Sequence, residues 1–141
     1  MTRVRVPLLP SKARWLVVAL VAGGILLASV TRPTAVRRVT GPFGVLGIDK
    51  YLHFLGYAAL ALVLAYALAG RETERVAVTV FLAVVSFGLF VELLQLPIAY
   101  RTFSLADAVA NAAGATAVAV GWRPLRQRVR FRPVAGPRAE P

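Results

Sequence analysis

The sequence has no cysteine, which removes disulfides, thiolate metal sites and thiol nucleophiles from its chemistry and leaves the compartment undetermined. Charge is scarce as well. At 16% Asp, Glu, Lys and Arg, the chain falls well below the roughly one quarter usual for soluble domains. Acid is scarcer still, with six Asp and Glu residues against 17 Lys and Arg and a single histidine. Neither the G-x-S-x-G signature of many serine hydrolases nor a Gly-rich phosphate loop occurs, and no segment repeats.

What fills the chain instead is apolar, 58% of its 141 residues. That balance indicates one integral membrane domain, held by small-residue packing and internal hydrogen bonds more than by burial of apolar area from water. The net charge of +11 does not point to nucleic acid, because the basic residues flank apolar runs and form no aromatic-interleaved patch. Membrane lipids with anionic headgroups are the partners it implies, at about 1 kcal/mol for each basic residue near the surface.

Four apolar runs predict an all-α fold, an integral membrane four-helix bundle with short loops. Residues 1–14 read as a solvated basic cytoplasmic leader with Arg3, Arg5, Lys12 and Arg14. The membrane domain covers residues 15–122, with helices over about 15–30, 50–69, 76–96 and 105–122. The first run would be about 24 Å long as a helix, short for a hydrocarbon core of about 30 Å. A cleaved signal peptide competes with an uncleaved anchor there, and the lack of an A-x-A pattern favours the anchor. Residues 31–48 are broken by Pro33, Gly41, Pro42, Gly44 and Gly47 and read as a loop. Pro97 ends or kinks the third helix, and the alanines of the fourth suit close packing by its neighbours. Residues 123–141 form a basic, proline-containing tail, expected to have little fixed structure and to attach to the inner membrane surface.

With four spans the termini share a side. Leader, middle turn and tail hold twelve of the 17 basic residues, so the positive-inside rule predicts a multi-pass protein of the cell membrane with both termini cytoplasmic. The starts of the second and fourth helices and the end of the third then lie on the outer side.

Those three places carry the polar residues that interrupt the apolar pattern, and ionisable groups within membrane helices generally face partners, water or a ligand. Asp49, His53 and Tyr57 fall on one stripe of the second helix, beside Lys50. Glu92 and Gln95 share a face of the third, and Ser104, Asp107, Asn111 and Gly114 share one of the fourth, under the short loop bearing Arg101. The expected product is a polar pocket roofed by the glycine-rich first loop. Plainer accounts stand beside it. Ser104 with Asp107 fits a helix-start capping box, Asp49 and Lys50 suit an interfacial helix end, and Arg101 would neutralise Glu92 or Asp107. His53 with Asp49, Glu92 and Asp107 has the ligand types for a metal, but one histidine and long sequence gaps argue against it, and no metal or cofactor is expected. As a general base His53 would act on a lipid-linked substrate, with Lys50 or Arg101 holding phosphate. No specific nucleophile arrangement accompanies it, so catalysis stays open.

The runs DKYLHFLGYAAL at 49–60 and ELLQ at 92–95, with R-x-x-S-x-x-D-x-x-x-N-x-x-G from Arg101 to Gly114, resemble the VanZ-like integral membrane proteins. The likeness covers residues 46–121. It implies that Asp49, Lys50, His53, Tyr57, Glu92, Gln95, Arg101, Ser104, Asp107, Asn111 and Gly114 form the family's polar pattern. The founding member's association with resistance to the glycopeptide teicoplanin implies a cell-envelope role. A second glycine usual one turn beyond Gly114 is replaced by Val118, with Gly121 later. The expectation is an outer-side site that binds or processes a lipid-linked or phosphate-bearing envelope component. The alternative is a scaffold or partner subunit whose polar residues only tie helices together. A transporter fits less well, because the polar groups gather at one end and not at the midplane.

Overall fold

The computed structural model describes residues 3–31, 41, 44, 47–101 and 103–134. Its elements are β1 (Val4–Leu8), α1 (Ser11–Val30), α2 (Ile48–Ala67), α3 (Thr73–Gln95), α4 (Leu105–Arg128) and β2 (Val129–Pro133). Helices α1, α2 and α3 are long and apolar enough to cross a membrane. Helix α4 has the length but is alanine-rich and ends among Arg123, Arg126 and Arg128.

Side-chain contacts give the helix directions. Arg14 at the start of α1 reaches the end of α2, Gln95 at the end of α3 reaches the end of α1, and Lys50 and Asp107 join the starts of α2 and α4. The helices therefore alternate in direction, with the polar starts and ends of four segments at one end of the bundle and the chain's two strands at the other.

The helices pack through stripes set by their sequences. On α3 the buried seam runs Val76, Val80, Val84, Gly88, Val91, and the same seam then carries Glu92 and Gln95. On α4 it runs Asp107, Asn111, Gly114, Ala115 and, two turns on, Trp122. A Cβ at Gly114 would lie 2.9 Å from the backbone nitrogen of Ala58, so the missing side chain is what lets α2 and α4 approach backbone to backbone. The opposite faces expose Leu16, Leu20, Leu52, Leu55, Leu82 and Val109, as lipid contact requires. Helix α1 buries little beyond Ser29.

Three expectations need correcting. The first helix is not short, because it begins at Ser11 and so reaches about 30 Å. The fold is not purely helical. Residues of the basic leader and tail pair as two parallel strands, Val4 opposite Val129 through Leu8 opposite Pro133. Nor does the fourth helix stop at Trp122; it runs on through Pro124 to Arg128, and residues up to 134 are ordered against the bundle. The physical reason is alternation: Leu8 and Phe131 pack on the core while Arg5, Arg130 and Arg132 face outward. The proposed roof, residues 31–48, lies mostly outside the described residues.

Candidate functional site

At the polar end, the candidate residues separate into two sets. The first closes α1. A helix leaves its last carbonyls without intrahelical partners, and in a membrane such groups are costly unless another segment supplies donors. Here the 95–101 segment supplies them. Gln95 Nε2 donates to Ser29 O at 2.7 Å, the Tyr100 hydroxyl to Val30 O at 2.8 Å, and the Arg101 guanidinium to Ala28 O at 3.0 Å and to Thr31 O. Arg101 thus places its charge at the negative end of the α1 dipole, a role beside the two the sequence suggested for it, neutralising Glu92 or Asp107 and holding phosphate. Tyr100 and Ser29 belong to this set and were not anticipated. The only hint of them is the break at Pro97, which turns the following residues back across the helix ends.

The second set joins α2, α3 and α4. Asp107, its side chain 6% exposed, accepts a hydrogen bond from Lys50 Nζ, which also donates to Asp49 at 2.7 Å. His53 Nε2 stands 3.7 Å from the other Asp107 oxygen, and His53 Nδ1 is 2.9 Å from Asn111 Oδ1. The His53 ring continues into a stack on Tyr57, centroids 6.4 Å apart. Lys50 and His53 retain about a fifth of their side-chain exposure, so the positive and titratable groups form the rim and the carboxylate lies behind them.

Ser104 caps α4 as its sequence suggests, accepting from the Asp107 N–H at 3.2 Å. The reciprocal half of the box differs. The Ser104 N–H donates to Glu92 Oε2 of α3 at 3.3 Å, which leaves the Asp107 carboxylate to Lys50. Glu92 is 1% exposed, so a buried acid ties the end of α3 to the start of α4.

Behind this rim lie two donors without hydrogen-bond partners among the described residues, the Tyr57 hydroxyl and Asn111 Nδ2, each on a residue 2% exposed. The Tyr57 ring and the Asn111 amide both pack at Gly88. A Cβ there would meet Tyr57 at 3.0 Å and Asn111 Nδ2 at 3.4 Å, so the glycine makes room for both. Tyr57 also lies within electrostatic reach of Glu92. At the far end of the bundle, Trp122 Nε1, beside the Phe131 ring, and Arg14 Nε are also without partners among the described residues. Gly88 escaped sequence reasoning, although its place in the valine seam one turn before Glu92 was visible.

Among the described residues no three His, Cys, Asp or Glu side chains gather closely enough to hold a metal ion. A surface depression lined by Arg71, Glu72, Glu74, Arg75, Val78 and Thr79 lies at the opposite end of the bundle and gathers no buried polar groups. The convergence of Lys50, His53, Glu92, Asp107 and Asn111 is therefore the chemically distinctive place in this fold.

No curated protein and no solved structure matches the chain. A family model does, VanZ/LLP1, over residues 8–126, and the span takes in α1 to α3, α4 as far as Arg126, and every residue of the polar end described above. With that match over most of its length and with three helices fit to cross a membrane, the chain belongs to the VanZ/LLP1 family of membrane proteins.

Proposed function

We propose that the Lys50, His53, Asp107 and Asn111 cluster, with Tyr57 and Glu92 behind it, binds or processes a phosphate-bearing or lipid-linked component of the cell envelope on the outer side of the membrane. The observation that carries this reading is the pair of buried, unpartnered donors on Tyr57 and Asn111 beside a buried carboxylate. An unmade buried hydrogen bond costs about 1–3 kcal/mol, which a polar ligand bound at these two donors would recover. The rim chemistry suits an anionic group: Lys50 supplies a point charge and His53 an imidazole able to donate or accept a proton. An envelope role agrees with the association of the family's founding member with teicoplanin resistance. The proposed orientation, with both termini cytoplasmic, rests on the charge count.

The scaffold reading has its own observation. Gln95, Tyr100 and Arg101 each donate to carbonyls at the end of α1, and that contact is a helix tie. The two roles are separable by experiment. Tyr57→Phe removes a hydroxyl that holds no partner among the described residues, so abundance and thermal midpoint should stay level or rise, while glycopeptide tolerance or another envelope phenotype of a strain depending on this protein should fall. Asn111→Ala should lower that phenotype too. If Tyr57→Phe left the phenotype intact, or if its loss merely tracked loss of folded protein, the cluster would be a structural tie.

A further inference from the structure

The opposite end of the molecule carries a second surface, independent of the polar cluster. Strands β1 and β2 lie across the ends of the helices. Tyr66, at the end of α2, donates its hydroxyl hydrogen to Pro7 O at 2.8 Å and accepts the Leu9 N–H at 2.9 Å. Its ring packs on Phe131, which also stacks on buried Trp122. One face of the strand pair is thereby fixed to the bundle. In the parallel register Arg5 is the direct partner of Arg130, and Pro7 of Arg132. Side chains alternate along a strand, so these arginines share the outward face, and all three are exposed.

This arrangement sets like charges together. Adjacent strands are about 4.8 Å apart and alternate residues about 6.6 Å, so Arg5, Arg130 and Arg132 rise from one small area. Like charges directly opposite on neighbouring strands destabilise the pair. Among the described residues none of the three forms an ion pair; the acids at this end are engaged elsewhere, Glu72 with Arg75 and Glu74 with Arg123. Arg126 lies over the Phe131 ring at 5.1 Å and so is held at the edge of the same plate. An anion bridging the guanidiniums would remove the repulsion, and Arg is suited to bidentate contact with phosphate. The helix ends put this plate at the level where a bilayer has its headgroups.

We propose that the β1–β2 pair is a folded binding plate for anionic phospholipid headgroups, with Arg5, Arg130 and Arg132 as its contact residues. The plate is preformed by strand pairing and by Tyr66, Trp122 and Phe131, and so it orders basic residues at the membrane surface that a loose tail would leave dispersed. Headgroup attraction of the usual size for surface arginines corresponds to about fivefold per residue and about a hundredfold for three.

The test uses the full chain in nanodiscs of mixed phosphatidylglycerol and phosphatidylcholine, with the lipids retained on the protein measured by native mass spectrometry. The expected result is enrichment of phosphatidylglycerol on the unmodified chain and its loss in the triple variant R5Q/R130Q/R132Q. The variant R71Q/R75Q, which removes charge from the same end but not from the plate, should keep the enrichment. Arg5→Glu adds a decisive arm. It replaces the Arg5 and Arg130 repulsion with a cross-strand ion pair, so its thermal midpoint in phosphatidylcholine alone should not fall, yet its phosphatidylglycerol enrichment should. If the triple variant does not fold, Arg5→Glu decides on the same criterion. Undiminished enrichment in the folded plate variants, equal loss in R71Q/R75Q, or no enrichment on the unmodified chain would each overturn the proposal. These readouts involve none of the polar-cluster residues, so the two proposals stand or fall separately.

Discussion

At the scale of single residues, the decisive one is Asp107. It sits one turn into α4, where Ser104 has already taken its backbone N–H and Glu92 the other capping role. Its carboxylate is therefore left to face Lys50 and His53 from a neighbouring helix. A charge this buried is tolerable only with its partner, and removing one member strands the other. Thermal unfolding of Asp107→Asn, Lys50→Gln and the double variant should thus show each single change as destabilising and the double as less so than their sum. A coupling of about 1–3 kcal/mol is expected, and additive behaviour would mean that the pair is not formed in the membrane. The residue types of this cluster were legible in the sequence, and so was its meeting of three helices. Which acid would serve which base was not. The S-x-x-D spacing suggested that Asp107 closes its own capping box, whereas the tertiary contact with Glu92 displaced it from that task.

At the scale of elements, two features hold the bundle. Arginines from neighbouring segments close helix C-termini at both ends: Arg14 donates to Ala67 O at 2.6 Å at the end of α2, and Arg101 does the same for α1. Both place a cation at the negative end of a helix dipole while satisfying carbonyls that lipid cannot. The second feature is the close approach of α2 and α4 at Gly114. Gly114→Ala should lower the thermal midpoint, by an amount corresponding to about 1–3 kcal/mol, since the new methyl meets backbone that can yield only by helix separation. Gly121→Ala is its control. Nothing lies within 4 Å of a Cβ there, so stability should hold or improve slightly. Equal effects at the two sites would deny the close contact. The pattern of small residues on α4 announced tight packing in the sequence. That Gly114 and not Gly121 makes the contact depends on which face meets α2.

At the scale of the whole molecule, the strands β1 and β2 bring the start of α1 and the end of α4 to one end of the bundle. The proposed orientation, based on the positive-inside rule, puts that end in the cytoplasm. With no native cysteine in the way, single cysteines at Thr73 and Ala99 report on the two ends directly. A membrane-impermeant thiol reagent applied to intact cells should label position 99 and spare position 73. The reverse pattern would turn the polar cluster toward the cytoplasm and make its ligand a cytosolic one.

The sequence by itself determined the membrane character of this protein, its helices and the polar positions among them. Those properties follow from local composition and from a periodicity that each segment carries alone. It also carried the family, because the spaced motifs of three segments occur together in order. The tertiary structure decided the pairings: Glu92 with Ser104, Asp107 with Lys50, Arg101 with the end of α1, and a leader strand with a tail strand from the far end of the chain. Each of these joins residues from segments separated in the chain, and a hydrogen bond or strand partner is chosen by position in space, which no single segment encodes. The division of the polar residues into helix ties and a proposed site belongs to that level too, since it rests on which groups pair once the helices have met.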